Sequence, residues 1–165
     1  MQHIRPKTTE WFTYFPEDYR WSAAIGGMLG LAVVGASDMG EIDRTARKLK
    51  NKLGDDEAWF FTWQELGDEL KQKADDCRNR GHTISASVFY LRASCYYQWG
   101  ERFRTVKDDH ALNVYRKSVE CFHEHAQLSI SPKIEIVEVP YEGNFLPGYF
   151  VHAENTKKPI NPTMI

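Results

Sequence analysis

Acyl transfer through an activated serine needs a nucleophile on a strained turn, usually Gly-x-Ser-x-Gly, with an acid and a histidine downstream. No such pentapeptide occurs in the chain. Gly35-Ala36-Ser37-Asp38-Met39-Gly40 comes nearest, but its spacing is wrong, and Ser37 or Asp38 reads as the N-cap of the next helix. His123-Glu124-His125 brings imidazole and carboxylate together. Zinc chemistry on a helix needs histidines four apart. Two apart, they diverge by about 200° at helical pitch, so a solvated face is expected and no metal ligand is assigned. Gly26 to Gly30 lacks the Lys-Ser/Thr that completes a phosphate loop. The sequence therefore offers no catalytic residue and no cofactor motif.

Binding chemistry is better represented. Arg92 lies in the most apolar segment, beside Tyr90, Tyr96 and Tyr97. A buried guanidinium must be paired. A carboxylate such as Asp68 or Glu69 would make it a structural ion pair; otherwise it is an anchor aimed at a following domain or a substrate. Trp59, Trp63, Tyr90, Tyr96 and Tyr97 combine rigid apolar area with hydroxyl handles, which suits a pocket wall. Plain core packing is the competing role for each.

The elements that hold these residues read as mainly α. Residues 1–20 form an irregular arm whose aromatics, Trp11, Phe12, Tyr14, Phe15 and Tyr19, pack onto a neighbour. Residues 21–131 form a helical module of about four or five helices. Ser22 to Ala36 is a helix whose Ala23, Gly26, Gly27 and Gly30 permit close approach of another backbone. Ile42, Ala46, Leu49 and Leu53 repeat at helical spacing, with Gly54 as a stop and Asp55 or Asp56 as the next N-cap. Trp59, Trp63, Leu66, Leu70, Ala74 and Cys77 make the stripe of a long helix ending near Gly81. Thr83 to Trp99 is apolar on most sides, the mark of a central helix. Leu112, Tyr115, Val119, Phe122 and Ala126 form the last stripe, with Leu91 and Phe122 expected in the core.

Residues 132–165 change period. Ile134 to Val139 and Phe145 to Val151 read as strands joined by the turn Tyr141-Glu142-Gly143-Asn144, with Pro162-Thr163-Met164-Ile165 as the start of a third. A lone hairpin is marginal in water and an open edge invites pairing, so a larger sheet is expected to follow.

Composition narrows the class. The 165 residues are 42% hydrophobic and 27% charged, which is globular, with a net charge of −2 and no basic stripe for nucleic acid. Cys77, Cys95 and Cys121 are odd in number and far apart, so reduced thiols in a cytoplasmic protein are expected. Trp21 to Ser37 is uncharged but short for a membrane span, and a buried helix is the better reading.

Two stretches carry a resemblance. Ala86-Ser87-Val88-Phe89-Tyr90-Leu91-Arg92-Ala93-Ser94-Cys95-Tyr96-Tyr97 resembles the central cap helix of a group of α/β-hydrolases. Val139-Pro140-Tyr141-Glu142-Gly143-Asn144-Phe145-Leu146-Pro147-Gly148-Tyr149-Phe150 looks like their first hairpin. The group includes FrsA-like esterases, 2,6-dihydropseudooxynicotine hydrolase and fungal hydrolases that shorten polyketide chains. The similarity covers roughly residues 55–165. It implies a helical cap followed by the first strands of a hydrolase sheet, in a truncated or processed chain without its nucleophile. It also implies that the full-length protein cleaves an ester, or a C–C bond next to a ketone, of a small apolar or aromatic substrate. No nucleic-acid or membrane partner is implied, and a homodimer is one assembly to test. The main alternative is a stand-alone helical interaction module that grips a partner helix or peptide. A small apolar-ligand binder is a third reading.

Overall fold

The computed structural model describes residues 13–152. They form five α-helices and a β-hairpin: α1 (Tyr19–Gly30), α2 (Met39–Arg47), α3 (Asp56–Asn79), α4 (Thr83–Glu101), α5 (Asp109–Leu128), β1 (Ile134–Tyr141) and β2 (Asn144–Val151). A short 3-10 turn, Leu31–Val34, follows α1. Most of the arm, with Trp11 and Phe12, lies outside the described residues. So does the expected third strand at residues 162–165.

Aspartate starts four of the helices. Asp18, Asp38, Asp55 and Asp108 each accept a hydrogen bond from the backbone N–H three residues on, at 2.9–3.0 Å. Such a cap satisfies an orphan donor and is worth about 1 kcal/mol. Of the two capping candidates before α2, Asp38 caps it, while the Ser37 hydroxyl donates to the Met28 carbonyl at 2.6 Å. Gly54 and Gly81, at φ 81° and 79°, turn the chain out of the segments that precede α3 and α4.

α3 and α4 run antiparallel and form the heart of the module. Two glycines let them close up: a Cβ on Gly67 would meet the Tyr97 ring, and one on Gly100 would meet Trp63. The expected stripe of α3 is core from Trp59 to Ala74, with Cys77 half-buried. α1 packs against this pair through Trp21, Ile25 and Met28, all fully buried. Its glycines do less than their spacing implied. Only Gly27 is closely met, by the Trp99 indole, and nothing approaches Gly26 or Gly30 within 4 Å. Of the arm aromatics, Phe15 is buried edge-on against Trp21, whereas Tyr19 is exposed.

The α5 register differs from the expected one by a single residue. The buried row is Ala111, Val114, Ser118 and Cys121; of the expected stripe Ala126 is buried, Leu112 and Tyr115 are exposed, and Val119 and Phe122 only half-buried. Leu91 is half-buried as well. Close contact between α4 and α5 selects small residues: Ser118 Oγ donates to the Ser94 carbonyl at 2.9 Å and lies 3.3 Å from Ser94 Oγ. The larger apolar residues are displaced to the next row. α4 is central, between α3 and α5. It is not enclosed all round, since Ile84 and Val88 are exposed.

The hairpin pairs from Ile134↔Val151 to Tyr141↔Asn144. Its two-residue turn has positive φ at Glu142 (46°) and Gly143 (78°), as a primed turn requires. One face carries Ile134, Ile136, Tyr149 and Val151; the other carries Val137, Val139, Leu146 and Phe150. A strand pair apolar on both faces has the pattern of a sheet covered on both sides. Tyr149 docks it on α5, with its ring 4.6 Å from that of Phe122 and its hydroxyl 3.1 Å from His123 Nε2.

Candidate functional site

The aromatic candidates meet along the α3/α4 seam. Trp21, Trp59 and Trp63 follow one another at ring separations of 4.9 and 5.4 Å, and Tyr96 stacks on Trp63 at 5.7 Å with planes 23° apart. The Trp59 indole donates to the Trp99 carbonyl at 2.9 Å, while the Trp63 indole N–H has no acceptor among the described residues. Trp59, Trp63, Tyr96 and Tyr97 are wholly buried. In this arrangement they have no face to offer a ligand, and they frame the module from within.

Each tyrosine hydroxyl of α4 ends on a carboxylate. Tyr90 Oη donates to Asp75 Oδ1 at 2.5 Å and Tyr97 Oη to Asp68 Oδ1 at 2.7 Å. Both pairs are seven apart on their own helices, so antiparallel packing brings them into register. Tyr96 Oη accepts from the Asp38 backbone N–H at 2.9 Å and donates to Glu41 Oε2 at 3.0 Å. Burial, reinforced by the neighbouring carboxylate, pushes the Tyr90 phenol up to about 12 and raises Tyr96 and Tyr97 further. All three remain neutral donors at physiological pH.

Arg92 pairs with neither expected partner. Its Nη1 donates to Glu41 Oε1 at 3.2 Å, so one α2 carboxylate bridges Arg92 and Tyr96. Asp68 is engaged by Tyr97 and Lys117, and Glu69 by Arg44 and Lys73. The sequence signal for Glu41 was weak: it is a first-turn acid that looks like dipole compensation.

Among the candidates, Tyr90 borders an open depression of about 450 Å³, lined also by Lys71, Asp75, Arg78, Glu120 and Glu124. Its charges are mutually paired, Lys71 with Asp75 and Arg78 with Glu124. It is a polar surface hollow without an apolar floor.

His123 and His125 diverge as helical pitch requires, the first toward Tyr149 and the second toward Ser87. His125 Nδ1 lies 2.9 Å from Ser87 Oγ and 3.1 Å from the Ser87 carbonyl. Serine and imidazole at this distance is the first requirement of a nucleophile–base pair. The remaining requirements are unmet: Ser87 is buried within a helix, not on an exposed strand-to-helix turn. Burial lowers the His125 pKa.

Five helices followed by an antiparallel hairpin resemble part of known hydrolases. No family model matches the chain. Hydrolase acrC of Aspergillus aculeatus is 29% identical over 133 residues, covering 79% of this chain and 30% of that protein. Alpha/beta hydrolase ucsC of Acremonium sp. is 25% identical over 140 residues, covering 79% of this chain and 28% of its own. The crystal structure of 2,6-dihydroxy-pseudo-oxynicotine hydrolase matches with a TM-score of 0.60 at 22% identity, over 78% of this chain and 34% of that one; at that identity the likeness is one of fold. The chain thus spans about 30% of the length of the curated relatives it matches. The relatives it resembles are hydrolases by name, ucsC an alpha/beta hydrolase.

Proposed function

We propose that the chain is the N-terminal cap, with the opening hairpin, of a serine α/β-hydrolase. Residues 1–20 would be its arm, 21–131 its cap and 132–165 its first strands. The observation that carries this reading is the order of parts: five helices, then a hairpin apolar on both faces, along most of which the hydrolase relatives align. The reaction is cleavage of an ester or of a C–C bond next to a ketone. A serine attacks the carbonyl, a histidine moves the proton and backbone N–H groups hold the oxyanion, all supplied by the sheet domain. The cap shapes access for a small apolar or aromatic substrate. Trp59, Trp63, Tyr96 and Tyr97 act in this through the rigidity of the module, with Tyr90 and Arg92 at its margins. The three free thiols, Cys77, Cys95 and Cys121, support a reducing, cytoplasmic setting.

The test is the coding sequence beyond Ile165, with a Gly-x-Ser-x-Gly elbow expected there. A fluorophosphonate probe should leave the 165-residue chain unmarked. Stoichiometric labelling of Ser87, lost in Ser87→Ala, would overturn the assignment of catalysis to the sheet domain.

A further inference from the structure

α4 and α5 bury their shared seam through Ser87, Ser94 and Ser118, and they face α3 through Tyr90, Tyr97 and Lys117. Turning away from α3 by about 60–100° at helical pitch, both helices present a second row. On α4 it is Ile84, Val88 and Leu91; on α5 it is Leu112, Tyr115 and Val119. Because the helices are antiparallel neighbours, the two rows lie on the same side of the pair. No charged residue interrupts either row. Ile84 is 74% exposed, Tyr115 54% and Leu112 42%. A contiguous apolar surface of this kind marks an interaction site in a folded protein.

Something already occupies one end of it. Phe122 continues the α5 row, and the hairpin docks there through Tyr149. The hairpin face that carries Tyr149 also exposes Ile136 and Val151, 43% each, with Glu138 as the charged residue at its far end. Helix row and strand face therefore form two sides of one largely apolar corner that closes where Tyr149 meets Phe122 and His123.

We infer that this corner seats the body of the hydrolase, with the outer α4/α5 face packed against the sheet and helices that extend the hairpin. The inference rests on the cap reading above. The occupant follows from continuity: the hairpin is the beginning of that body, and the apolar surface runs on from where it touches α5. The hydrolase relatives are about three times as long as the matched segment, which supplies an element of sufficient size.

Hydroxyl-radical footprinting of Tyr115, Leu112 and Ile84 tests this in two proteins, the 165-residue chain and the product of the complete coding region. In the isolated chain all three should oxidise readily. In the complete protein their oxidation should fall severalfold, while the exposed Tyr19 on α1 stays reactive in both. Equal reactivity of the three residues in a complete protein that carries the Gly-x-Ser-x-Gly elbow would overturn the docking assignment and leave the cap reading intact. A coding region without that elbow would instead overturn the cap reading, and the docking with it. Tyr115→Glu gives a second readout. The substitution should leave the isolated chain's thermal midpoint close to wild type and lower that of the complete protein. Protection of Tyr115 in an isolated chain that sediments as a dimer would assign the face to a second copy and refute the body as its occupant.

Discussion

Gly67→Ala isolates the contact on which the α3/α4 seam depends. A methyl group there would lie 2.5 Å from Cε1 and 2.6 Å from Cδ1 of Tyr97. Carbon pairs rest at about 3.5–4.0 Å, so the ring or the helix must shift by roughly 1 Å. The ring is fully buried, and its hydroxyl is tied to Asp68 at 2.7 Å. Overpacking costs about 1–3 kcal/mol. Losing the carboxylate bond adds about 1.5–3 kcal/mol. Alanine's helix preference over glycine returns about 1 kcal/mol. The net expectation is a loss of about 1.5–5 kcal/mol. Urea unfolding, followed by tryptophan fluorescence and by far-ultraviolet circular dichroism, measures it if the two transitions coincide. In a Tyr97→Ala background the cost should shrink, because the obstructing ring is gone; strict additivity would locate it elsewhere. Gly26→Ala is the control: nothing lies within 4 Å of it, so it should stabilise by about 0.5–1 kcal/mol. Gly67→Ala at or above wild-type stability would refute the close crossing.

Leu70→Ala should cost about 2–5 kcal/mol because the side chain is fully buried, and Phe122→Ala, half-buried on the outer row of α5, should cost less in the same urea titration. Burial pushes the Cys95 and Cys121 thiols up to about 12, so both should react slowly with a disulfide reagent at mildly alkaline pH while half-buried Cys77 reacts first, with peptide mapping to locate the label. Burial also lowers the His125 pKa, so the unfolded chain takes up this proton first as pH falls. The stability it contributes is complete above the ordinary value of 6.5 and is lost as pH drops from there through the lowered folded value. His125→Gln should flatten that part of a plot of unfolding free energy against pH.

The helices and hairpin were legible because each rule that marks them is local. Asp55 and Asp38 lie where capping predicts, Gly54 and Gly81 where positive φ is needed, and Glu142-Gly143 where a two-residue turn must reverse two apolar runs. What failed were the inferences that depend on a partner. On α5 two rows one residue apart both have helical spacing, and bulk favours the wrong one. Ser118 and Cys121 win the interior because α4 comes close enough to exclude anything larger than a hydroxyl or thiol there. The partner of Arg92 was sought on the helix nearest in sequence. It stands instead on α2, brought in by the packing of Tyr96 against Asp38.

The same close packing bears on how a cap of this kind could choose a substrate. An aromatic residue can line a pocket only if one face is free, and Trp21, Trp59, Trp63 and Tyr96 are all fully buried. Substituting any of them would alter stability and the relative positions of α1, α3 and α4 together, so every substrate would be affected alike. On the proposed cap reading, size discrimination would then come from surface that borders the sheet domain. The uncharged outer rows of α4 and α5 would supply such a border, because α5 meets the hairpin at Phe122 and Tyr149. A substitution there would change what lies opposite the strand ends without loosening the buried aromatic residues. Selectivity that shifts with Val88 or Leu112 but not with Trp63 is therefore the pattern expected of the complete protein if the module is the proposed cap.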